Sequence, residues 1–571
     1  MATSVATTIP APVFHPTVWG DYFINFTPEP LQISDEKMAE RINQLKEDVS
    51  GMFQAAKNNV VETMNLVDVV QRLGIDHHFE EQIATALARL HSADFNSSSL
   101  HEVALRFRLL RQQGFWVSPG ITKNSNNLIN KCTTNKVICI NIILCTADEF
   151  NKFKNEDGSF ISGIENDPKG LLSLYNAAHL LTHDEGTLED AILFSRRHLE
   201  SIQSSLKPPL ADQVGRALQI PLPRTLKREE AISFIPEYSS SVQDQTYSPE
   251  ILLELAKLDF NLLQHLYQKE LKALTQWWKD LSGEIGLDYV RDRIVECYFW
   301  SYSVHYEQAN ARARVILAKL FLLTSLLDDT YDVHATLEEA RELNKAIERW
   351  DYGDVSFLPE YLKKFFVKVV SNFSEFEDEL EPHEKYRNVY NRKGFQTLSK
   401  YYLQEAEWFH QGFTPSFKEQ VSVSVITAGA QMLSIGLLVG MGDVATKEAF
   451  EWVIGNSDAI WACGEVSRFM DDMSAFKNGR NKLDVPSTVE CYIKEHNVSS
   501  DVALTKISSF VEDAWKTINQ APFKYPALLP VVRRVARLAK SMTLLFLDKR
   551  DAYTYSKDFK KTLESHFVKH I

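Results

Sequence analysis

The sequence predicts an all-α protein built as two helical domains, and three observations carry that reading. Gly and Pro are scarce, at 22 and 20 in 571 residues, too few turn residues for a loop-rich or all-β chain. Apolar residues recur at helical spacing along most of the chain, and few runs alternate as strands do. The length suffices to bury a large core in more than one domain.

Met64 to Leu73 repeats apolar residues at helical spacing and stops at Gly74, and Leu105 to Leu110 does the same before Gly114. Each glycine stands where a helix C-cap is expected. The next segment departs from its surroundings. Gly120 to Ala147 has no acidic residue, is rich in Asn and Ile, holds Cys132, Cys139 and Cys145, and ends in the β-prone run Val137 to Cys145. Excising it joins Val117-Ser118-Pro119 to Asp148-Glu149-Phe150-Asn151-Lys152-Phe153 as a continuous turn and helix. Its junctions are compatible with the GT start and AG end of an intron, so residues 120–147 are expected to be a retained intron, the alternative being a disordered surface insertion.

The polar stretch Tyr238 to Tyr247 reads as a link, and Ser248-Pro249-Glu250 opens a new helix with Ser248 as N-cap and Pro249 as its first residue. The domains are therefore drawn as residues 1–247 and 248–571. Ile251 to Trp278 is a long amphipathic helix free of Gly and Pro. Val421 to Gly442 is uncharged and about as long as a bilayer-spanning helix. Its Ser422, Ser424, Thr427, Gln431 and Ser434 argue instead for one buried helix, with Thr427, Gly429 and Gly436 as places to bend or to admit a ligand. No membrane span is expected.

A formal net charge of -14 with no basic face speaks against nucleic acid as a partner. The six cysteines form no Cys-x-x-Cys pair and no zinc spacing, as suits reduced thiols. Met1 to Pro16 has neither a secretory signal's apolar stretch nor an Arg-rich transit composition, so a cytoplasmic location is expected.

The chemistry concentrates in Asp328-Asp329-Thr330-Tyr331-Asp332, directly after the apolar run Phe321 to Leu327. At about 3.6 residues per turn, Asp328 and Asp332 share one helix face with Asp329 beside them. Three like charges near a helix C-terminus repel one another and oppose the macrodipole. A hard divalent cation reverses that sign; the competing reading is a solvated acidic helix end. Upstream, Arg291-Asp292-Arg293 sets two guanidiniums around one acid, a pattern that grips polyanions and that also occurs on plain helix surfaces. Downstream, Arg468 precedes Asp471 and Asp472, which by itself is no more than a helical ion pair.

In this order the basic triplet, acidic cluster and second acidic site resemble the plant class I terpene synthase family, of the cytosolic sesquiterpene synthase type. Further matches are Phe14-His15-Pro16-Thr17-Val18-Trp19-Gly20-Asp21, Asp68-Val-Val-Gln-Arg-Leu-Gly74, Leu105-Arg-Phe-Arg-Leu-Leu-Arg-Gln-Gln-Gly-Phe115, Trp277-Trp278-Lys279 and Glu490-Cys-Tyr-Ile-Lys-Glu-His496. The resemblance implies an N-terminal α-barrel-like helical domain and a C-terminal class I terpenoid synthase α-bundle. It implies Asp328, Asp329, Asp332 and Asp471 as ligands of Mg²⁺, with Mn²⁺ as the alternative ion. Arg291, Arg293 and Arg468 would bind the diphosphate, and Asp551-Ala552-Tyr553-Thr554 would belong to a lid. Trp300, Phe546 and Tyr553 could face a carbocation. The implied activity is that of a monomeric carbon-oxygen lyase that ionises farnesyl diphosphate, with Asp328, Asp329, Asp332 and Arg291 at the reacting centre. The tandem-arginine signature of plastid relatives is missing.

One part of the family pattern fails. The second metal motif places an oxygen-bearing residue four and eight positions after the first, and here these are Ala475 and Gly479. The third of the family's ions is therefore in doubt: either Asp471, water and diphosphate hold it in a weaker enzyme, or catalysis is lost. A prenyltransferase and a non-enzymatic helical scaffold are the further alternatives.

Overall fold

The computed structural model describes residues 14–27, 34–119, 149–240, 248–286, 288–353, 355–478 and 485–571. Among these no strand forms; Lys154 and Phe160 make one isolated bridge. The chain divides into two compact units that are not contiguous in sequence.

One unit comprises Glu29–His265, Trp515–Arg533 and Val568–Ile571. Its core includes helices α1 (Val60–Arg72) and α2 (Leu100–Gln112). Both end as their sequences predict, on Gly74 and Gly114 at φ +75° and +82°, a conformation that costs other residues a Cβ clash. Helix α2 also buries arginines. Arg106 pairs with Glu149 at 2.5 Å, and Arg111 donates to the Val117 carbonyl at 2.9 Å and to Glu185 at 2.7 Å. Both edges of the expected insertion are thus tied to α2, while residues 120–147 themselves lie outside the described residues.

Helix α3 (Pro249–Ile285) starts on Pro249 as expected and runs unbroken for 37 residues. The compact units divide within it, after His265, so Pro249–His265 group with the N-terminal unit rather than beginning the C-terminal domain at residue 248. From Ile251 to Trp278 the helix has neither Gly nor Pro and so offers no break at which to separate two cores.

The other unit comprises Met1–Pro28, Leu266–Ala514 and Arg534–Phe567. Its site is framed by α4 (Ile294–Val304), α5 (Ala311–Asp329), α6 (Arg387–His410), α7 (Phe417–Thr427), α8 (Ala430–Val439), α9 (Asp458–Asn478) and α10 (Thr488–His496). Helix α5 is apolar almost all round, as a helix enclosed by neighbours must be, and packs against α4 and α8. Val421 to Gly442 is two helices rather than one. The break falls at Ala428-Gly429, with Gly429 at φ +78°. Gly436 has a different task from the one expected: a Cβ there would stand 2.7 Å from Leu320 Cδ1, so it lets α8 approach α5. This stretch is the one helical segment among the described residues apolar and long enough to cross a membrane, and most of it is buried in the unit.

Candidate active site

Helix α5 does not simply stop after the acidic run. At Asp329 it passes into a π-helical turn, Thr330–His334. Three side chains pin that turn. Thr330 Oγ1 donates to the Leu326 carbonyl at 2.7 Å, the Tyr331 hydroxyl bonds Ser399 Oγ at 2.8 Å, and His334 stacks on Tyr289 with centroids 3.9 Å apart. Single π turns in α-helices are rare and recur at functional sites.

The turn decides which acids face inward. Asp328 and Asp332 line a deep cavity together with Asp471, Arg291 and Arg468. Asp329, expected among the metal ligands, is fully buried and does not line it. Its Oδ2 accepts the Arg291 backbone N–H at 2.9 Å and Nε at 3.1 Å, so it fixes the arginine's position. Arg291 Nη2 reaches on to Asp328 at 2.7 Å. Burial opposes the charge on Arg291, but Asp329 and Asp328 outweigh it and hold the guanidinium protonated far above its ordinary value.

Arg293, expected to bind the diphosphate, is placed elsewhere. Its side chain is fully buried and does not line the cavity. It donates to the carbonyls of Tyr553 at 2.9 Å, Thr554 at 2.8 Å and His15 at 2.9 Å. Instead of gripping an anion, it straps the C-terminal segment and the start of the described chain to the N-terminal end of α4. Asp551 completes that segment's turn by accepting the N–H groups of Tyr553 at 3.0 Å and Thr554 at 2.8 Å. Asp551 and Tyr553 both line the cavity, as expected.

Across the cavity, Arg468 on α9 bridges Asp471 and Asp472, each at 3.2 Å, and donates from Nε to the Ser424 carbonyl at 3.0 Å. It is no surface pair: its side chain is 19% exposed, and the two acids keep it charged against the cost of burial. Asp472 has a separate duty, accepting the N–H and hydroxyl of Thr488 at 2.7 Å where α10 begins. Ala475 also lines the cavity, and Gly479 lies outside the described residues.

Below these charges the wall turns apolar. Trp300 stacks on Phe321 with centroids 5.1 Å apart and planes 7° from parallel, and Tyr553 stands 4.7 Å from it. Phe546, Met542 and Leu433 extend the lining. Several polar residues of the cavity carry no signal in the sequence, among them Tyr402, Glu405 and Gln420. At Tyr402 on α6, burial, together with the Asp328 and Asp332 carboxylates, holds the phenol well above the usual range. Glu405 accepts a hydrogen bond from Thr427 at 3.0 Å, and Gln420 lies nearby on α7. Thr427, expected as a place to bend or to admit a ligand, is the one sequence signal on this helix face.

A polar mouth of carboxylates and guanidiniums over an aromatic floor suits a metal-bound polyanion with an apolar tail. The family model for the terpene synthase metal binding domain matches residues 279–517, and that for the terpene synthase N-terminal domain matches residues 18–140 and 144–218. The chain belongs to the terpene synthase family. It is 77% identical to a tau-cadinol synthase of Zea mays over the whole of both chains. It is 59% identical to an alpha-copaene synthase of Zea mays over 97% of this chain and 99% of that one. Its fold matches the crystal structure of isoprene synthase from Populus x canescens in complex with three Mg²⁺ ions and dimethylallyl-S-thiolodiphosphate. That match has a TM-score of 0.81, with 26% identity over 94% of this chain and 97% of that one. This terpene synthase is accordingly a lyase acting on a prenyl diphosphate with a divalent metal cofactor. The side chains fit such an ion. Asp328 and Asp332 face one cavity as hard oxygen donors, and Tyr402 beside them is kept neutral.

Proposed function

We propose that this chain is a sesquiterpene synthase that takes farnesyl diphosphate with Mg²⁺, releases diphosphate and cyclises the remaining cation. The observation that carries this is the single cavity in which Asp328, Asp332, Asp471, Arg291 and Arg468 ring one end and Trp300, Phe321, Tyr553 and Phe546 line the rest. Asp328 and Asp332 would hold the Mg²⁺, with Asp471 opposite. Bound there, the ion would supply Lewis-acid stabilisation of charge on the leaving diphosphate.

The protein's own groups do the remaining work. Arg291 and Arg468 are pre-positioned by buried acids, so they meet developing negative charge without reorganising. The Trp300 and Tyr553 ring faces stabilise the allylic cation, and the Arg293 straps fix residues 553 and 554 where they wall the cavity against water. The Asp-rich cluster is one of a kind here, whereas a chain-elongating prenyltransferase needs two complete clusters.

By its 77% identity to a tau-cadinol synthase, tau-cadinol is the product we propose. A cytoplasmic monomer of 65.3 kDa is the form we propose. The test is incubation of purified full-length protein with Mg²⁺ and either farnesyl or geranyl diphosphate, with the volatiles resolved by gas chromatography and mass spectrometry. Tau-cadinol from the C15 substrate supports the reading; turnover of the C10 substrate alone overturns it.

A further inference from the structure

The N-terminal unit holds a cluster of side chains that the ionisation chemistry does not use. His77 and His78 lie on the short 3₁₀ turn Asp76–His78 that follows α1, and Asp259 on α3 meets them. His78 Nε2 stands 2.9 Å and His77 Nε2 3.3 Å from the same oxygen, Asp259 Oδ1. Among the described residues this is the one group of three His, Cys, Asp or Glu side chains whose ligand atoms all lie within 4.8 Å of one another.

Neighbours in sequence rarely converge in this way. Adjacent residues on a 3₁₀ turn point about 120° apart. Here the two rings stand 4.0 Å apart by their centroids and bring both Nε2 atoms to one oxygen. Asp259 has its counter-ion in Arg228, whose Nη1 donates to Oδ2 at 2.9 Å, so a second ring at Oδ1 is not needed to neutralise it. The His77 and His78 side chains are 10% and 17% exposed, which leaves a small ion an approach from solvent.

The distances decide what fits. Zn²⁺ takes imidazole nitrogen at about 2.0–2.1 Å and carboxylate oxygen at about 2.0–2.2 Å, so ligand atoms about 90–110° apart around it are separated by about 2.9–3.4 Å. Both separations to Oδ1 fall in that interval. Two imidazoles and one carboxylate suit Zn²⁺ and disfavour Mg²⁺, which prefers oxygen throughout. Burial favours the neutral acid at Asp259, but His77, His78 and Arg228 outweigh it and hold the carboxylate ionised. Burial also favours the neutral ring at His78, with a lone pair to give. At His77 burial is outweighed by Asp259, which favours the imidazolium, so an ion competes there with a proton.

We propose that His77 Nε2, His78 Nε2 and Asp259 Oδ1 hold a Zn²⁺ ion, with water completing its shell, that fastens the Asp76–His78 turn to α3. Each ring then carries its proton on Nδ1. Arg228 supports the carboxylate from its other oxygen, as partners of metal-bound carboxylates do. The ion is structural and does not rest on the diphosphate reading above.

The test uses full-length protein stripped with EDTA, returned to saturating Mg²⁺ to fill the carboxylate cavity, and titrated with Zn²⁺ against a chromophoric chelator. Uptake of one Zn²⁺ per chain and a higher melting temperature are expected. His77→Gln combined with His78→Gln keeps N–H groups to donate to Asp259 and removes both imidazoles. This double variant should lose at least about 100-fold in Zn²⁺ affinity and, with it, the thermal shift. No Zn²⁺ uptake by the wild type, or equal affinity in the double variant, overturns the proposal. X-ray absorption of the Zn²⁺-loaded wild type needs no variant. Two imidazole ligands and no sulfur are expected there, and a thiolate or an all-oxygen shell overturns the proposal.

Discussion

Arg291 is shared by Asp328 and Asp329, and the two acids use it differently. Asp329 is enclosed, so Asp329→Asn leaves a buried guanidinium short of a partner, a loss on the order of 3–5 kcal/mol. Asp332 faces the cavity, so Asp332→Asn should keep the wild-type melting temperature and lose about 100-fold or more in turnover. Scanning calorimetry beside product assays separates the two. Spacing alone could not make this distinction, because the N–H that claims Asp329 is 38 residues away in sequence. Glu296 gives a pH prediction. It is fully buried on α4, and burial, opposed by Arg293, pushes its carboxyl up to about 7 from 4.5. The folded state therefore binds a proton that the unfolded state has released between those values, and stability falls as pH rises through that window. Glu296→Gln should flatten the melting temperature between pH 5 and 7 and raise it at about pH 8. A parallel fall in both proteins would refute this.

Element boundaries follow local chemistry where a cap or a glycine marks them. Gly74, Gly114 and Pro249 were legible for that reason, whereas Gly429 stood out only as one of three places where a single helix could bend. The π turn was not, since it is imposed by Ser399 and Tyr289 from other parts of the chain. Gly429→Ala should cost about 1 kcal/mol, the penalty of a Cβ at positive φ, and should shift product proportions because residues 427–429 line the cavity. Urea denaturation and product profiling check the two parts. At the edges of residues 120–147, Val117 and Phe150 belong to one core and both flanks are tied to α2. We propose on that ground that joining Pro119 to Asp148 leaves a folded enzyme; loss of soluble protein on this deletion would contradict it. Sequencing the transcript decides whether the segment is an intron.

At the scale of the molecule, the helical class was readable from composition and periodicity, and the family from ordered motifs. The division into units was less so. The stretch through residue 28 and Arg534–Phe567 join the unit that holds the Asp-rich cluster, and Pro249–His265 leave it, because packing rather than sequence order assigns them. The site repeats this lesson: the acids and arginines were visible, but which of them face the cavity depended on partners distant in sequence. These residues together point to metal-dependent ionisation with capture of the cation inside the cavity. Its most direct test is to incubate the full-length protein with farnesyl diphosphate and quantify released pyrophosphate and volatile product together, with Mg²⁺ and with EDTA. Equal amounts of both, only when Mg²⁺ is present, are predicted. Pyrophosphate without a sesquiterpene, or release undiminished by EDTA, would rule out metal-dependent ionisation with capture in this cavity.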